Sequence, residues 1–462
     1  MLAASRGFTY GAYQDRLLVV AAAVMAPVLG WSVVEMPAVA LLPVAALGAL
    51  PLLVSARARV LFVVFGVIFI FGTSDELTLS KLAYLGGLGA AGVGALVSLY
   101  TLTRTPAFAA LRPLVYASIG LVAVVFMSLP IAELQGAHLR DWLRDSSSYV
   151  MAAMVPLFAL DAYSAFSKRA LERILVVAGL LGALSFATYW LTRRGIGTLG
   201  LDLLGLPTTL LGASLFAYAM AALMQGGRRR VFWLVTGVLT FALLVSTGTR
   251  TTLILLAAPL AIVFGSSQRV TSRSLRLVVI LPLVIVLVGL TAQSVLKLAD
   301  ADEDVVQRRI ELLFESGSNR DDSYVERVNS TQVVWDAFRS APLLGIAPGS
   351  PFTWEDSAGM PKTSRTVDSP ILFLARFGLV GLAWVIGFAV AYLALIRRLA
   401  RVDRAPTVSR LALVGFGGIL LANAILLVPF EDKGFSAALL LLVALALRET
   451  FGPPRAPAAR WG

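Results

Sequence analysis

The residues whose types and spacing suit chemistry are a set of arginines and a few carboxylates. Arg250 closes the very short connection Thr247-Gly248-Thr249-Arg250 between two apolar runs, which puts its guanidinium near a hydrocarbon boundary. Charge there is costly unless it is paired, solvated or used. One reading is an arginine snorkelling to lipid headgroups; the other is a fixed cation for an anionic substrate. Arg376 lies little more than a helical turn after Pro370, inside the apolar run 371–380, with Asp368 just before it. It reads as half of a local ion pair, as an arginine snorkelling outward, or as a cation lining a cavity. Arg320, Arg327, Arg339 and Arg365 add positive charge within one polar segment. The planar fork of arginine grips phosphate through two parallel hydrogen bonds. The chemistry that follows is binding of a diphosphate and stabilisation of the charge that grows on it as it leaves. An acceptor hydroxyl attacking such a donor needs a base. Asp368, Asp321, Asp322 and Glu326 are the candidates, and partial burial or hydrogen-bond tuning is required to make any of them effective.

The elements that position these groups are set by composition. The chain is 58% hydrophobic and 14% charged, with a mean hydropathy of +0.83. Apolar runs of about 18 to 20 residues, long enough to span a bilayer as helix, recur from end to end. The backbone must satisfy itself in hydrocarbon, so Val/Ile-rich runs read as helix rather than strand. The absence of cysteine excludes disulfides and thiolate-held metals. The single histidine, His138, excludes a His-rich metal site, and no metal or cofactor is expected. The net charge of +12 comes from arginines scattered over short loops, without the continuous patch a nucleic-acid partner needs. No small-residue cleavage pattern follows the first run, so no cleavable signal is expected.

The expected fold is an all-α polytopic bundle of about 14 (12–14) transmembrane helices. The runs are 17–34, 36–54, 60–71, 77–99, 113–129, 149–166, 171–190, 204–224, 231–245, 251–264, 275–296, 370–396, 411–428 and 435–447. Alternate loops concentrate arginine and lysine, as at Arg57 and Arg59, Lys168 and Arg169, and Arg397 and Arg398. Basic short loops stay on the cytoplasmic side, which puts both termini there and the Arg250 connection outside. Segment 297–369 is polar, carries both signs of charge and falls on the outer side. A structureless loop of that length is unusual, so it is expected to be ordered in part and to contain short helices. Val325, Val328, Gln332, Trp335 and Phe338 recur at helical spacing within it and predict one apolar stripe. The expected organisation is a single membrane domain, 1–462, with 297–369 as its external loop. The glycines between Gly86 and Gly94 are expected to let helices approach closely.

Three stretches resemble the O-antigen ligase and O-antigen polymerase superfamily of bacterial envelope polysaccharide enzymes. Ser246-Thr247-Gly248-Thr249-Arg250-Thr251 is similar to the family's Ser-x-x-x-Arg-(Thr/Gly) at a helix end. Arg327, followed by Phe338 and then Pro342-Leu343-Leu344-Gly345-Ile346-Ala347-Pro348-Gly349, resembles its arginine, apolar helix and Pro-Leu-Leu-Gly-x-Gly-x-Gly. Val367-Asp368-Ser369-Pro370, leading to Phe377-Gly378-Leu379-Val380-Gly381, resembles His-Asn-x-x-Leu and Gly-Leu-Ile-Gly at the start of a late helix. The resemblance implies transfer of a glycan from an undecaprenyl-diphosphate carrier at the outer face of the inner membrane. It implies that Arg250 and Arg327 hold the diphosphate, with no metal or nucleotide.

Val367 stands where the ligases carry histidine, and Thr331 where a tryptophan often follows the loop arginine. These departures lean toward a polymerase that joins lipid-linked repeat units. Asp368 then serves as base or orients the acceptor, while Arg320, Arg365 and Arg376 add to the diphosphate cleft. The partners so implied are undecaprenyl-diphosphate-linked glycans, the lipid bilayer and a chain-length regulator. The alternatives are a ligase acting on lipid A-core or another acceptor, and a lipid-linked oligosaccharide flippase. Against a flippase, no internal repeat is evident and charged residues sit mostly at span ends.

Overall fold

The structure, a computed structural model, describes residues 48–69, 79–193, 209–226, 229–245, 252, 254–260, 322–356, 358–365, 367, 369–403, 405–426, 430, 432 and 434–454. Seven helices come first: α1 (Ala56–Phe69), α2 (Leu79–Leu102), α3 (Pro106–Leu134), α4 (Leu139–Ala165), α5 (Lys168–Arg193), α6 (Thr209–Gln225) and α7 (Arg230–Val245). Then come α8 (Asp322–Ser340), a hairpin of β1 (Phe352–Glu355) and β2 (Pro361–Ser364), α9 (Leu372–Val402), α10 (Val408–Leu426) and α11 (Gly434–Phe451).

Among the described residues, seven helices are long and apolar enough to cross a membrane, or eight if the bent pair Gly48–Val54 and Ala56–Phe69 is one span. The protein is thus a helical membrane protein, and the apolar runs from 60–71 to 231–245 and the last three each coincide with a helix. Of the remaining runs, 17–34 and 275–296 lie outside the described residues, as do most of 36–54 and part of 251–264, so the described spans do not confirm the full count of about 14. Its α11 is buried along nearly its whole length and packs against α4, α5, α6 and α10. In contrast α3 exposes Tyr116, Ile119, Phe126 and Met127, as a lipid-facing helix does. Gly87, Gly92 and Gly94 face close neighbours as the sequence predicts, while Gly86 and Gly89 face open space.

At one end of the bundle a buried ion pair holds the bent α1 segment. Arg59 Nε donates to Asp161 Oδ2 at 2.6 Å, and both side chains are 1% exposed. Arg59 also donates to the carbonyls of Leu52 and Leu53, at 3.1 Å each, and to Ser98 Oγ at 2.6 Å. The carbonyls at the bend are thereby satisfied by a guanidinium, as they must be where helix bonding stops. Ser98→Ala is expected to cost about 1.5–3 kcal/mol, the net worth of one hydrogen bond to a charged group. Thermal unfolding in detergent measures it, and an unchanged midpoint would show that Asp161 and the carbonyls alone hold Arg59.

The segment expected to contain short helices holds, in its described part, one 19-residue helix and a β-hairpin. Alternating burial puts Phe352 and Trp354 inward and Thr353 and Glu355 outward, a half-buried strand period. Asp356 closes the turn, its Oδ1 accepting from the Ala358 and Met360 amides at 2.9 Å each. The inward residues join Val334, Val367, Leu372 and Ala375 in a small separate core. The buried face of α8 is therefore Ser330, Val333, Val334, Ala337 and Phe338, rotated from the predicted stripe. Val328 is 50% exposed and Gln332 is also exposed. The slim, β-branched face fits against β1 and α9, and Trp335 stays at its flank against Phe338 and Arg339.

Candidate functional site

The site begins with a break in a helix. Gly378, inside α9, has φ 60° and ψ -156°. That conformation is essentially confined to glycine. An unbroken helix would bond the Leu379 and Val380 amides to the carbonyls of Ala375 and Arg376. Instead the amides donate to Pro342 and Leu343 at 2.8 and 3.2 Å, and the carbonyls accept from Ile346 and Ala347 at 2.8 and 3.0 Å. Two helical bonds are exchanged for four bonds to the 342–347 loop. The resembling stretches Pro342–Gly349 and Phe377–Gly381 are thus stitched backbone to backbone. The close approach requires glycine on both sides: a Cβ at Gly345 would run into the Arg376 backbone, and one at Gly378 into the Leu343 carbonyl. Ala347, where the family pattern has glycine, itself adopts a left-handed φ of 64°.

The stitch fixes a cluster of charge against the start of α4. Arg376, 1% exposed, donates through Nη2 to Asp145 Oδ2 at 3.4 Å and to the Arg365 carbonyl at 2.6 Å. Asp145 Oδ2 also accepts the Gly349 amide at 3.1 Å, and its Oδ1 accepts Arg144 Nε at 2.8 Å. A Cβ at Gly349 would lie 2.9 Å from the Trp142 nitrogen, so the loop rests directly on α4. One turn earlier, Asp141 Oδ2 accepts from Arg365 Nη2 at 3.0 Å, with side-chain exposures of 18% and 37%. The hairpin supplies this arginine, since Arg365 directly follows β2. Beneath the cluster, Tyr149 packs edge-on against Phe373 and Phe377, which seats α9 on α4.

Of the residues singled out from sequence, Arg365 and Arg376 come together here. Arg250, Arg320, Asp321 and Asp368 lie outside the described residues, and of Arg327 only the backbone, in α8, is described. Glu326 is engaged by Lys362 across to β2. Asp145 is thus a partner of Arg376 that the sequence reading missed, along with Asp141 and Arg144. Their signal was acids and an arginine at i, i+3 and i+4 ahead of an apolar run. It reads as ordinary loop charge because α4 begins at Leu139, well before the predicted run 149–166. His138 is the N-cap residue of this helix and makes no side-chain capping bond.

Chemically, the cluster offers a half-exposed guanidinium at Arg365 with a carboxylate beside it. Beside the stitch lies a small notch lined by Val124, Met127, Ser128, Ile131, Leu344, Phe377 and Val380. That lining suits hydrocarbon rather than sugar. No group of His, Cys, Asp or Glu with metal-holding geometry occurs among the described residues.

Residues 235–386 match the family model described as O-antigen ligase. The matched segment runs from within α7 through α8 and the hairpin to the middle of α9, and so holds both sides of the stitch. Asp141 and Asp145, on α4, lie outside it. No curated protein matches the chain at a significant level of similarity.

Proposed function

We propose, from the premise that residues 235–386 belong to the O-antigen ligase family, that the protein polymerises undecaprenyl-diphosphate-linked repeat units at the outer face of the inner membrane. Members of this family are membrane glycosyltransferase-like enzymes. In polymerisation the growing glycan passes from its carrier to a hydroxyl of the next unit. Arg250 and Arg327 bind the diphosphate, with Arg320, Arg365 and Arg376 shaping the charge of the cleft, and Asp368 orients the incoming hydroxyl. Both termini are cytoplasmic, and 297–369 is the external loop of one membrane domain.

The observation that favours a polymerase over a ligase is the burial of Val367. At 3% exposure it packs in the small core with Phe352 and Trp354. Where the ligases carry histidine, this chain has a core residue that presents no polar atom to an acceptor.

The deciding experiment supplies the native host's lipid-linked repeat units to the protein in nanodiscs, with and without the host's lipid acceptor. A ladder from donor alone supports the polymerase, product only with acceptor supports the ligase, and donor crossing a liposome membrane without product supports a flippase. Arg250→Ala and Arg327→Ala are each expected to slow transfer about 10- to 100-fold, the worth of a charge-assisted hydrogen bond of about 1.5–3 kcal/mol. Abundance should not change. A fall in abundance in place of rate would make these arginines structural.

A further inference from the structure

The two ion pairs of the cluster differ in a way that assigns them different work. Asp145 receives three donors, Arg144, Arg376 and the Gly349 amide, and its side chain is only 3% exposed. Its oxygens are committed to the fold. Asp141 stands one turn earlier at the open edge of the same helix, paired with Arg365 through Nη2. The backbone of Arg365 is anchored, because its carbonyl accepts from Arg376, while its side chain remains 37% exposed. The exposed part of the guanidinium leaves Arg365 open to a second anion. With side chains 37% and 18% exposed, this pair lies nearer the surface than Arg376 and Asp145, at 2% and 3%.

We propose that Asp141 is the base of the transfer reaction, masked by Arg365 until donor binds. This rests on the reading of the site as a diphosphate-glycan transferase. In the unloaded protein Asp141 occupies Arg365 as a stand-in for the substrate anion. Donor diphosphate takes over the guanidinium, and the displaced carboxylate is left beside the leaving group. The acceptor O–H then loses its proton to an Asp141 carboxylate oxygen as its oxygen bonds to the anomeric carbon. The bond from that carbon to the diphosphate oxygen breaks, and the electron pair leaves with the diphosphate on the arginines. Asp141 returns the proton to water and pairs with Arg365 again as the carrier departs. Position supports the assignment: Asp141 lies in the first turn of α4, at the open edge of the cluster and beside the partly exposed Arg365.

The test uses the full chain in nanodiscs, with host lipid-linked repeat units for turnover and farnesyl diphosphate as a competing probe of the diphosphate site. Asp141→Asn is expected to lower kcat by about 10²- to 10⁴-fold, the usual worth of a positioned base. The same variant should bind farnesyl diphosphate about two- to fivefold more tightly, because the internal competitor is gone. Asp141→Glu should retain both pairing and part of the rate. Wild-type kcat in Asp141→Asn overturns the proposal, as does loss of turnover together with loss of probe affinity, which marks a structural role. If Asp141→Asn does not accumulate, Asp141→Glu carries the test, and unchanged kcat and unchanged affinity there overturn it. If the wild-type protein transfers no glycan, the transferase reading fails on its own. The probe still reads the masking: equal affinity in wild type and Asp141→Asn would end that as well.

Discussion

Gly378→Ala is expected to abolish transfer and to destabilise the protein by more than about 3 kcal/mol, although it adds only a methyl group. The first reason is local. Gly378 sits at φ 60° and ψ -156°. An L-residue held there incurs about 1–3 kcal/mol of backbone strain. The second is the neighbour. The added Cβ would run into the Leu343 carbonyl, which is backbone and itself bonded to the Val380 amide. Relief by motion separates the loop from the helix and puts all four stitching bonds at risk, each with a net worth of about 0.5–1.5 kcal/mol. Relief by refolding α9 into a continuous helix restores two bonds but leaves the amides of Ile346 and Ala347 without acceptors. Either route withdraws the Arg376 carbonyl from Ala347 and shifts the guanidinium that anchors Arg365. Gly387 is the internal control: it lies in the same helix, and a Cβ there meets nothing within 4 Å. Gly387→Ala is expected to be neutral or slightly stabilising, as glycine-to-alanine changes are in an open helix position. Thermal unfolding in detergent and turnover in nanodiscs measure both. Equal behaviour of the two variants would show that the break at Gly378 is incidental.

Sequence alone makes the helical membrane class and most helix positions legible, because apolar length dictates them without help from tertiary contacts. The runs at 77–99 and 370–396 fall on α2 and α9 for this reason. The break inside α9 is not legible in that way, since Gly378 lies within an apolar run that hydropathy reads as one span. Only the loop that replaces its helical bonds makes the break stable, and that loop lies some thirty residues earlier in the chain. The face of α8 is hidden for a similar reason. Spacing allows more than one stripe, and Val334 and Ala337 are chosen by what β1 and α9 present to them. The site is half legible. Arg376 stands out because a charge inside an apolar run is costly and Arg365 as one of the arginines of a polar segment, whereas Asp141 and Asp145 gain meaning only when α4 is seen to start early and to run beneath the loop.

The arrangement makes the segment from α8 to the start of α9 one mechanical unit with the bundle. The hairpin delivers Arg365, the small core under Phe352 and Trp354 seats the hairpin on α8 and α9, and the stitch fixes the loop to α9. The loop in turn reaches α4 through Gly349 and Asp145. The buried Asp145, with Asp141 beside it, therefore links the segment that matches the family model to a helix outside it.

Asp145→Ala tests that link. It removes the acceptor of three donors at once and leaves the buried Arg376 without this counter-ion, which predicts a loss of about 3–5 kcal/mol. The Gly349 amide is also orphaned, but the costs of neighbouring groups do not add. Asp145→Asn keeps one carbonyl acceptor and should fall between alanine and wild type. The informative variant is the double one, Asp145→Ala with Arg376→Met. Replacing a buried pair by apolar side chains of similar length commonly restores stability, so the double variant should unfold later than Asp145→Ala alone. Transfer should not return with it, because the Arg365 carbonyl has lost its anchor and the guanidinium offered to the diphosphate is no longer held in place. Recovery of stability without turnover assigns Arg376 to positioning Arg365. Recovery of both would make the buried pair a purely structural counter-charge and leave substrate binding to Arg365 and the arginines before it in the chain.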